Sequence, residues 1–184
     1  MTEYLYELRI PKDRIAVLIG KEGKIKSEIE AETQTTIKVD SKEGDIFITG
    51  EEALGLYSSR EVIRAIGRGF NPEVAKLLLK GDYAFELIDL RDYVGKSKDH
   101  LLRIKGRIIG AEGKTRRLIE ELTGAHICVY GKTAGVIGEP TAASNAREAI
   151  EKLLRGSPHS TVYKFLEKKR TMMNRERMLR ADLE

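Results

Sequence analysis

The chain has 184 residues, of which 41% are hydrophobic and 34% are charged, a balance typical of a folded globular protein with one or two domains. It contains no apolar run of membrane-spanning length and no signal-peptide pattern, so we expect a cytoplasmic protein with no membrane partner. The single cysteine, Cys128, excludes an internal disulfide and is expected to pack as a small apolar side chain.

The net charge of +4 is distributed unevenly along the chain. Residues 1–90 carry thirteen basic and seventeen acidic side chains, whereas residues 91–117 carry nine basic and three acidic ones. A concentrated positive field attracts polyanions, so the second half of the chain is predicted to bind a polyanion. The first half is then available for a different function. The alternative is that these charges form an ordinary solvated helix surface.

The first half of the chain alternates between strand and helix patterns. Tyr4, Tyr6, Leu8 and Ile10 alternate with polar residues as in a half-buried strand, and Pro11 ends the run. Later apolar residues recur at helical spacing or alternate again. In chain order, the predicted elements are a strand over 3–10, helices over 12–19 and 24–32, strands over 35–40 and 44–50, and a helix over 51–69.

Asn71 and Pro72 form a strong helix start, because asparagine caps a helix and proline suits its first position. They predict a connecting helix over 72–80, after which the strand and helix pattern repeats. The last helix is basic. It could pack on the second domain, bind RNA or fray, and the sequence does not choose between these alternatives. The predicted elements are a strand with Phe85 and Leu87, a polar loop over 91–98, helices to Ile109 and then to Leu122, strands at 126–130 and near Val136, and helices over about 141–154 and 160–181.

A glycine turn of the form G-x-x-G separates two helices in each half. The turn from Gly110 to Gly113 matches the one from Gly20 to Gly23, ninety residues earlier. Glycine reaches backbone angles that other residues resist and lets a ligand approach the main chain, and the helix start that follows favours anions. The turns therefore predict phosphate contacts. A nucleotide-binding P-loop is absent, because Ile108 stands where its first glycine is required.

The order β-α-α-β-β-α, with G-x-x-G between its first two helices, resembles a type I KH domain and occurs twice. The resemblance implies an α+β protein of two tandem type I KH domains, each a three-stranded antiparallel sheet with its helices on one face, plus a C-terminal helix. It divides the chain into a first domain (1–71), a connecting helix (72–82), a second domain (83–157) and a basic C-terminal helix (158–184). In a KH domain about four single-stranded nucleotides cross a groove between the two helices, the turn and the second strand.

The resemblance places candidate RNA-binding residues around both turns. On the helix before the second turn, charged and glycine residues recur at three- and four-residue steps and therefore share a face. A glutamate at the third position of each turn repels phosphate. Lys21 restores one positive charge in the first turn and Ala111 does not in the second, so the local comparison favours the first turn, whereas the larger regional charge favours the second. The candidates are Arg103, Lys105, Gly106, Arg107, Gly110, Ala111, Glu112, Gly113, Lys114 and Arg117 in the second half, and Gly20, Lys21, Glu22, Gly23 and Lys24 in the first.

Three longer runs carry a closer resemblance: AIGRGFNPEVAKLLL (65–79), the second turn with its flanks (106–129) and NAREAIEKLLRGSPHSTVYKFL (145–166). In that order they resemble the archaeal relatives of the eukaryotic KH-domain small-subunit assembly factor called partner of Nob one. The resemblance implies binding to small-subunit ribosomal RNA near its 3′ end. It also implies a Nob-type nuclease and the alpha subunit of translation initiation factor two as partners. The eukaryotic relatives have a decayed first turn, whereas both glycine pairs are present here.

The sequence contains no constellation of catalytic side chains. The histidines, His100, His126 and His159, are scattered without metal-ligand spacing, so we expect no enzyme, no metal and no cofactor. Two functions remain open. One is an RNA-binding module that acts mainly through the second KH domain. The other is a protein adaptor whose acidic first domain and tail dock a nuclease or an initiation factor, with RNA contact secondary.

Overall fold

The structure is a computed structural model that describes residues 4–181. The chain divides into two compact units, Met1–Phe85 and Glu86–Glu184. Both contain the β-α-α-β-β-α order, to which the second adds a single-turn helix after its first strand, and this confirms the predicted α+β fold with two KH-type cycles. No helix among the described residues combines the length and the apolar character that crossing a membrane requires.

The first cycle is a three-stranded antiparallel sheet with the order β1-β3-β2. Alternate residues of the central strand, Ile46 and Ile48, are fully buried, as the strand pleat dictates. Leu18 and Ile29 come from the two helices beside the glycine turn and are also fully buried. The elements are β1 (Tyr4–Arg9), α1 (Lys12–Ile19), α2 (Lys24–Thr33), β2 (Thr35–Asp40), β3 (Asp45–Gly50) and α3 (Ala53–Gly67).

The segment after α3 forms a short helix, α4 (Pro72–Ala75), followed by a 3₁₀ turn over Lys76–Leu79. The side chain of Asn71 accepts a hydrogen bond from the backbone N–H of Glu73 at 2.9 Å, which is the predicted helix cap. Lys76 Nζ lies 2.8 Å from Glu28 Oε2, and this hydrogen bond lowers the pKa of Glu28. The segment thus lies within the first compact unit.

The second cycle repeats the arrangement with the sheet order β4-β6-β5. Its core includes the fully buried Ile108, Ile119, Ile137 and Ile150. The elements are β4 (Ala84–Asp89), α5 (Arg91–Val94), α6 (Lys98–Ile109), α7 (Lys114–Thr123), β5 (His126–Tyr130), β6 (Thr133–Gly138), α8 (Pro140–Leu154) and α9 (His159–Ala181).

The polar loop predicted over 91–98 is wrong in its first half, which forms the helix α5. The Asp89 carboxylate accepts the backbone N–H of Arg91 at 2.9 Å and so satisfies one of the unpaired amides of a helix start. Val94 at the other end is buried in the core. The polar residues of this segment indicated a loop, whereas the segment forms a single helical turn that packs through one buried valine.

The last helix was expected to pack on the second domain, to bind RNA or to fray, and its first half packs. Val162 and Leu166, one helical turn apart on α9, are buried in the core of the second unit and pack toward α7 and α8. Farther along, Met172 and Met178 are exposed. The first half of α9 is therefore an integral part of the second unit.

Candidate nucleic-acid interface

The two glycine turns have the same backbone geometry. Gly20 and Gly110 have φ near 72° and 73°, and Gly23 and Gly113 have φ of 78° and 77°. The glutamate before each second glycine also has a positive φ, 56° in the first turn and 52° in the second, which is uncommon for a residue with a side chain. The sequence repeat is therefore a repeat of one specific backbone shape.

The first glycine of each turn is required by close packing. A Cβ atom on Gly110 would lie 2.2 Å from Thr115 Oγ1 and 2.7 Å from the backbone nitrogen of Thr115. A Cβ atom on Gly20 would lie 2.4 Å from Cγ1 of Ile25. This position brings the end of one helix against the start of the next, and no side chain fits there.

The second glycine of each turn is required for a different reason, because its bare side faces open space. A Cβ atom on Gly23 would meet nothing within 4 Å, and one on Gly113 would meet only Arg117 Nη1, at 4.0 Å. Both positions need a positive φ, which glycine adopts without strain. The main chain at the second glycine is therefore open to a ligand.

Arg117 places a cation beside the open main chain of the second turn. Its Nη2 donates a hydrogen bond to the backbone oxygen of Glu112 at 2.8 Å, so the guanidinium is held against the turn. Lys114 is exposed nearby, and within residues 4–181 it forms no ion pair. In the first turn, Ser27 occupies the position of Arg117, and Lys24 lies 3.8 Å from Glu28.

The predicted basic face of α6 is only partly available to a ligand. Arg103 is exposed, Lys105 is half-buried, and no atom lies within 4 Å of a Cβ atom built on Gly106. Arg107, in contrast, donates hydrogen bonds from Nε to the Leu153 oxygen at 3.1 Å and from Nη2 to the Ser157 oxygen at 2.7 Å. The Leu153 oxygen lies in the last turn of α8, where a cation stabilises unpaired carbonyls, and Ser157 belongs to the segment between α8 and α9. An RNA contact by Arg107 remains a prediction.

Arg103→Glu is expected to weaken the binding of single-stranded RNA about tenfold without a change in unfolding, because Arg103 is exposed. Arg107→Glu is expected to cost about 1–3 kcal/mol of stability as well, because its hydrogen bonds to the oxygens of Leu153 and Ser157 are lost. Fluorescence anisotropy measures the affinity for RNA, and urea denaturation measures the free energy of unfolding. Lys21→Glu is the control in the first turn, and a larger loss of affinity there than for Arg103→Glu would reverse the ranking of the two turns.

A glutamate beside the groove was missed by sequence reasoning. Glu120 Oε1 accepts the backbone N–H of Ile127 at 2.7 Å and is held by Arg116 at 3.1 Å. In the first cycle, Glu30 Oε1 likewise accepts the N–H of Ile37 at 2.7 Å. The sequence contains an indication of this contact, since Glu30 and Ile37 lie ninety residues before Glu120 and Ile127, the same offset as that of the turns.

These glutamates define how the edge strand faces the groove. β5 is an edge strand, and the N–H of Ile127 points away from β6 toward Glu120. Backbone groups alternate direction along a strand, so those of Val129 point to the same free edge. The groove thus has an open turn at one side and strand backbone at the other.

The C-terminal helix supports the second turn from behind. Tyr163 donates its hydroxyl hydrogen bond to Thr115 Oγ1 at 3.1 Å, and Thr115 is the residue that packs against Gly110. His159 Nε2 lies 2.9 Å from the backbone oxygen of Arg107. The first cycle has Ile25 in place of Thr115, so this support belongs to the second turn.

The candidate residues therefore fall into separate groups. The open main chain of the second turn lies together with Lys114 and Arg117, and the exposed Arg103 and Gly106 precede it on α6. The first turn has the same backbone with the exposed Lys21 and Lys24 as its cations, and Lys24 lies 3.8 Å from Glu28. Among residues 4–181, no group of three or more histidine, cysteine, aspartate or glutamate side chains could hold a metal ion.

Two family models match the chain. A KH-domain model covers residues 5–66, and the model of the second KH domain of PNO1, described as a eukaryotic-type, type I KH domain, covers residues 84–171. The chain is also similar to solved structures from Pyrococcus horikoshii OT3. It matches Dim2p at a TM-score of 0.84 and 48% identity over 90% of this chain and 99% of that one. A chain of the a/eIF2alpha–aDim2p–rRNA complex gives a TM-score of 0.86 and 47% identity over 92% and 95%.

Similar curated proteins come from archaea and eukaryotes. A KH domain-containing protein of Methanocaldococcus jannaschii is 47% identical over 174 residues, which span 92% of this chain and 76% of that protein. The pre-rRNA-processing protein PNO1 of Candida albicans is 34% identical over 109 residues, 59% of this chain and 40% of that one. These similarities confirm the resemblance inferred from the sequence. The chain belongs to the archaeal PNO1-like family of KH-domain proteins.

Proposed function

We propose that this chain is a non-enzymatic RNA-binding protein that holds single-stranded RNA from the 3′ region of small-subunit ribosomal RNA during ribosome assembly. The second KH domain is the principal site. The observation that carries the proposal is the bare outer side of Gly113, with the Arg117 guanidinium 4.0 Å from the position that a Cβ atom would take.

The chemistry of that site suits a nucleic-acid backbone. A phosphate can approach the main chain at Gly113 because no side chain is in the way, and the start of α7 favours a negative charge there. Arg117 and Lys114 supply positive charge, which outweighs the carboxylate of Glu112. The bases then lie toward the edge of β5, as expected for a groove that takes unpaired nucleotides.

The names of related proteins support the same function. PNO1 proteins are described as pre-rRNA-processing or RNA-binding proteins, and the aDim2p structure from Pyrococcus horikoshii OT3 is of a complex with rRNA. The second turn is the better candidate because the first has Asp13 and Ser27 at the positions of Arg103 and Arg117. An aspartate repels phosphate, and a serine, although it can donate a hydrogen bond, brings no positive charge.

The salt dependence of binding tests the proposal directly. Labelled single-stranded RNA with the 3′-terminal sequence of small-subunit rRNA is titrated with the full chain at several salt concentrations. If about four phosphates are engaged, log affinity falls with log salt at a slope of about −3, since each contact on a single strand contributes about 0.7. The same sequence in a duplex is the control, and equal affinity for the duplex would contradict a groove for unpaired bases.

A second function, the protein adaptor, is favoured by a specific observation. The matched complex from Pyrococcus horikoshii OT3 contains a/eIF2alpha together with aDim2p and rRNA. For this chain, the alpha subunit of initiation factor two and a Nob-type nuclease are partners that we propose on that basis and on family resemblance. Gly113→Asp separates the two functions, because an adaptor keeps its protein partners when the RNA groove is blocked.

A further inference from the structure

The acidic first unit contains a basic groove that is separate from its glycine turn. This β1–α3 groove has a volume of about 580 Å³, within the range of roughly 300–1,000 Å³ that is usual for ligand sites. Four arginines and one glutamate contribute the charges of its lining. The lining residues that matter below are Tyr6, Glu7, Arg9, Arg60, Arg64 and Arg68.

The arginines of α3 are arranged at a regular spacing. Arg60 and Arg64 are one helical turn apart, and Arg68 follows directly after the last residue of the helix. Four residues of α-helix rise by about 6 Å, so three cations follow one another along the groove at that interval. A ligand with negative charges at a similar spacing matches all three.

Aromatic rings and one acid hold two of these arginines in place. The Arg60 guanidinium carbon lies 4.6 Å from the centre of the Tyr6 ring, and that of Arg64 lies 5.5 Å from the centre of the Phe85 ring. Glu61 pairs with Arg64 at 2.8 Å. Arg68 is exposed and makes no ion pair or hydrogen bond through its side chain within the described part of the chain. Glu61 also lies 3.4 Å from Arg60, and Arg9 is paired with Asp45 at 2.6 Å. With Glu7, Glu61 and Asp45 counted against the four arginines, the groove keeps a net charge of +1.

The other wall of the groove is the free edge of a sheet. Within the described residues 4–181, β1 pairs only with β3, because the strand order is β1-β3-β2. The N–H of Ile10 points toward the β2–β3 hairpin, where it donates to the oxygen of Gly44 at 3.0 Å. Backbone direction alternates along a strand in continuous register, so the N–H and C=O groups of Glu7 and Arg9 point outward. An edge of this kind can pair with another extended chain.

We propose that the β1–α3 groove binds an extended acidic peptide segment of a partner protein, which adds to β1 as a further strand. Side chains on one face of a strand are about 7 Å apart, close to the 6 Å interval of the arginines. Carboxylates at alternate positions therefore meet Arg60, Arg64 and Arg68 while the peptide backbone bonds to Glu7 and Arg9. RNA suits this groove less well, because a sugar-phosphate backbone has no alternating N–H and C=O groups to pair with a strand edge.

A synthetic peptide of alternating glutamate and valine, added to the full chain, tests the proposal. A peptide of the same composition with its glutamates grouped at one end is the matched control. The alternating peptide is expected to bind more tightly, and Arg60→Glu with Arg68→Glu to weaken it by about tenfold or more. Lys38→Glu on β2, at the opposite edge of the sheet, makes the same charge change as Arg68→Glu alone and is expected to leave peptide binding as it was.

Amide hydrogen exchange supplies the second measurement. Strand addition is expected to slow the exchange of the Glu7 and Arg9 amides when the alternating peptide is added. Arg68→Glu alone, at an exposed position without a partner among residues 4–181, keeps the test valid if the double variant is less stable, and a smaller loss of affinity is expected for it.

Three results would overturn the proposal: no binding of the alternating peptide, equal binding of the grouped peptide, or unchanged exchange at Glu7 and Arg9. Loss of single-stranded RNA binding with peptide binding unchanged in the double variant would instead assign the groove to RNA. The inference does not depend on the RNA site. Gly113→Asp is therefore expected to bind the peptide as the native chain does.

Discussion

Gly113→Asp is expected to reduce the affinity for single-stranded RNA by at least about tenfold while the chain stays folded. The carboxylate would occupy the open space beside the main chain and repel the phosphate that we place there. Aspartate tolerates a positive φ better than most residues, so the cost in stability is expected to be only about 1 kcal/mol. Fluorescence anisotropy with the 3′-terminal RNA measures the affinity, and urea denaturation measures the stability.

Gly23→Asp is the matched control, because it makes the same change at a turn with nearly identical backbone angles. We expect a smaller loss of affinity from it, since the first turn has Ser27 where the second has Arg117. Equal losses would mean that both domains hold the RNA. Unchanged affinity in Gly113→Asp would remove the groove as the RNA site and leave the adaptor function.

Gly110→Ala is expected to destabilise the second unit by about 2–4 kcal/mol. The new methyl group would lie 2.2 Å from Thr115 Oγ1 and 2.7 Å from a backbone nitrogen, which only a shift of α7 could relieve. The same shift would disturb the hydrogen bond from Tyr163 to Thr115, so α9 is expected to loosen too. Calorimetry of the full chain should record the loss as a lower unfolding temperature.

Gly113→Ala separates the clash from the backbone angle, because both glycines have a positive φ but only Gly110 is crowded. We expect Gly113→Ala to cost about 1 kcal/mol, the typical penalty for alanine at such an angle. If the two alanine variants were equally stable, close packing would not be the reason for the first glycine. RNA affinity is expected to fall in Gly110→Ala as well, since the turn itself is displaced.

The helices and strands were largely predictable because short-range spacing encodes them. Alternating residues such as Tyr6 and Leu8 predicted β1, and the repeated glycines predicted both turns ninety residues apart. The main error, the helix α5, depends on a buried valine, Val94, that polar neighbours surround. A single turn is too short for periodicity to reveal.

The availability of each candidate side chain was not predictable from the sequence. Arg103 and Arg107 look equivalent on a helical wheel, yet Arg107 donates hydrogen bonds to one carbonyl in the last turn of α8 and one just after it. The Glu120 contact with the edge of β5 and the Tyr163 contact with Thr115 likewise join residues from different elements. The peptide-binding role that we propose for the arginines of α3 depends on β1, which forms the other wall of their groove.

The sequence by itself determined the order of the elements other than α5, the two glycine turns and the family to which the chain belongs. These follow from local spacing, which is set by the helix and strand periods and by the backbone freedom of glycine. Only the tertiary structure decided which arginines are exposed, which carbonyls need a donor and which strand edge is left free. Those properties arise when residues far apart in the chain meet, since a hydrogen-bond partner is chosen by proximity in space.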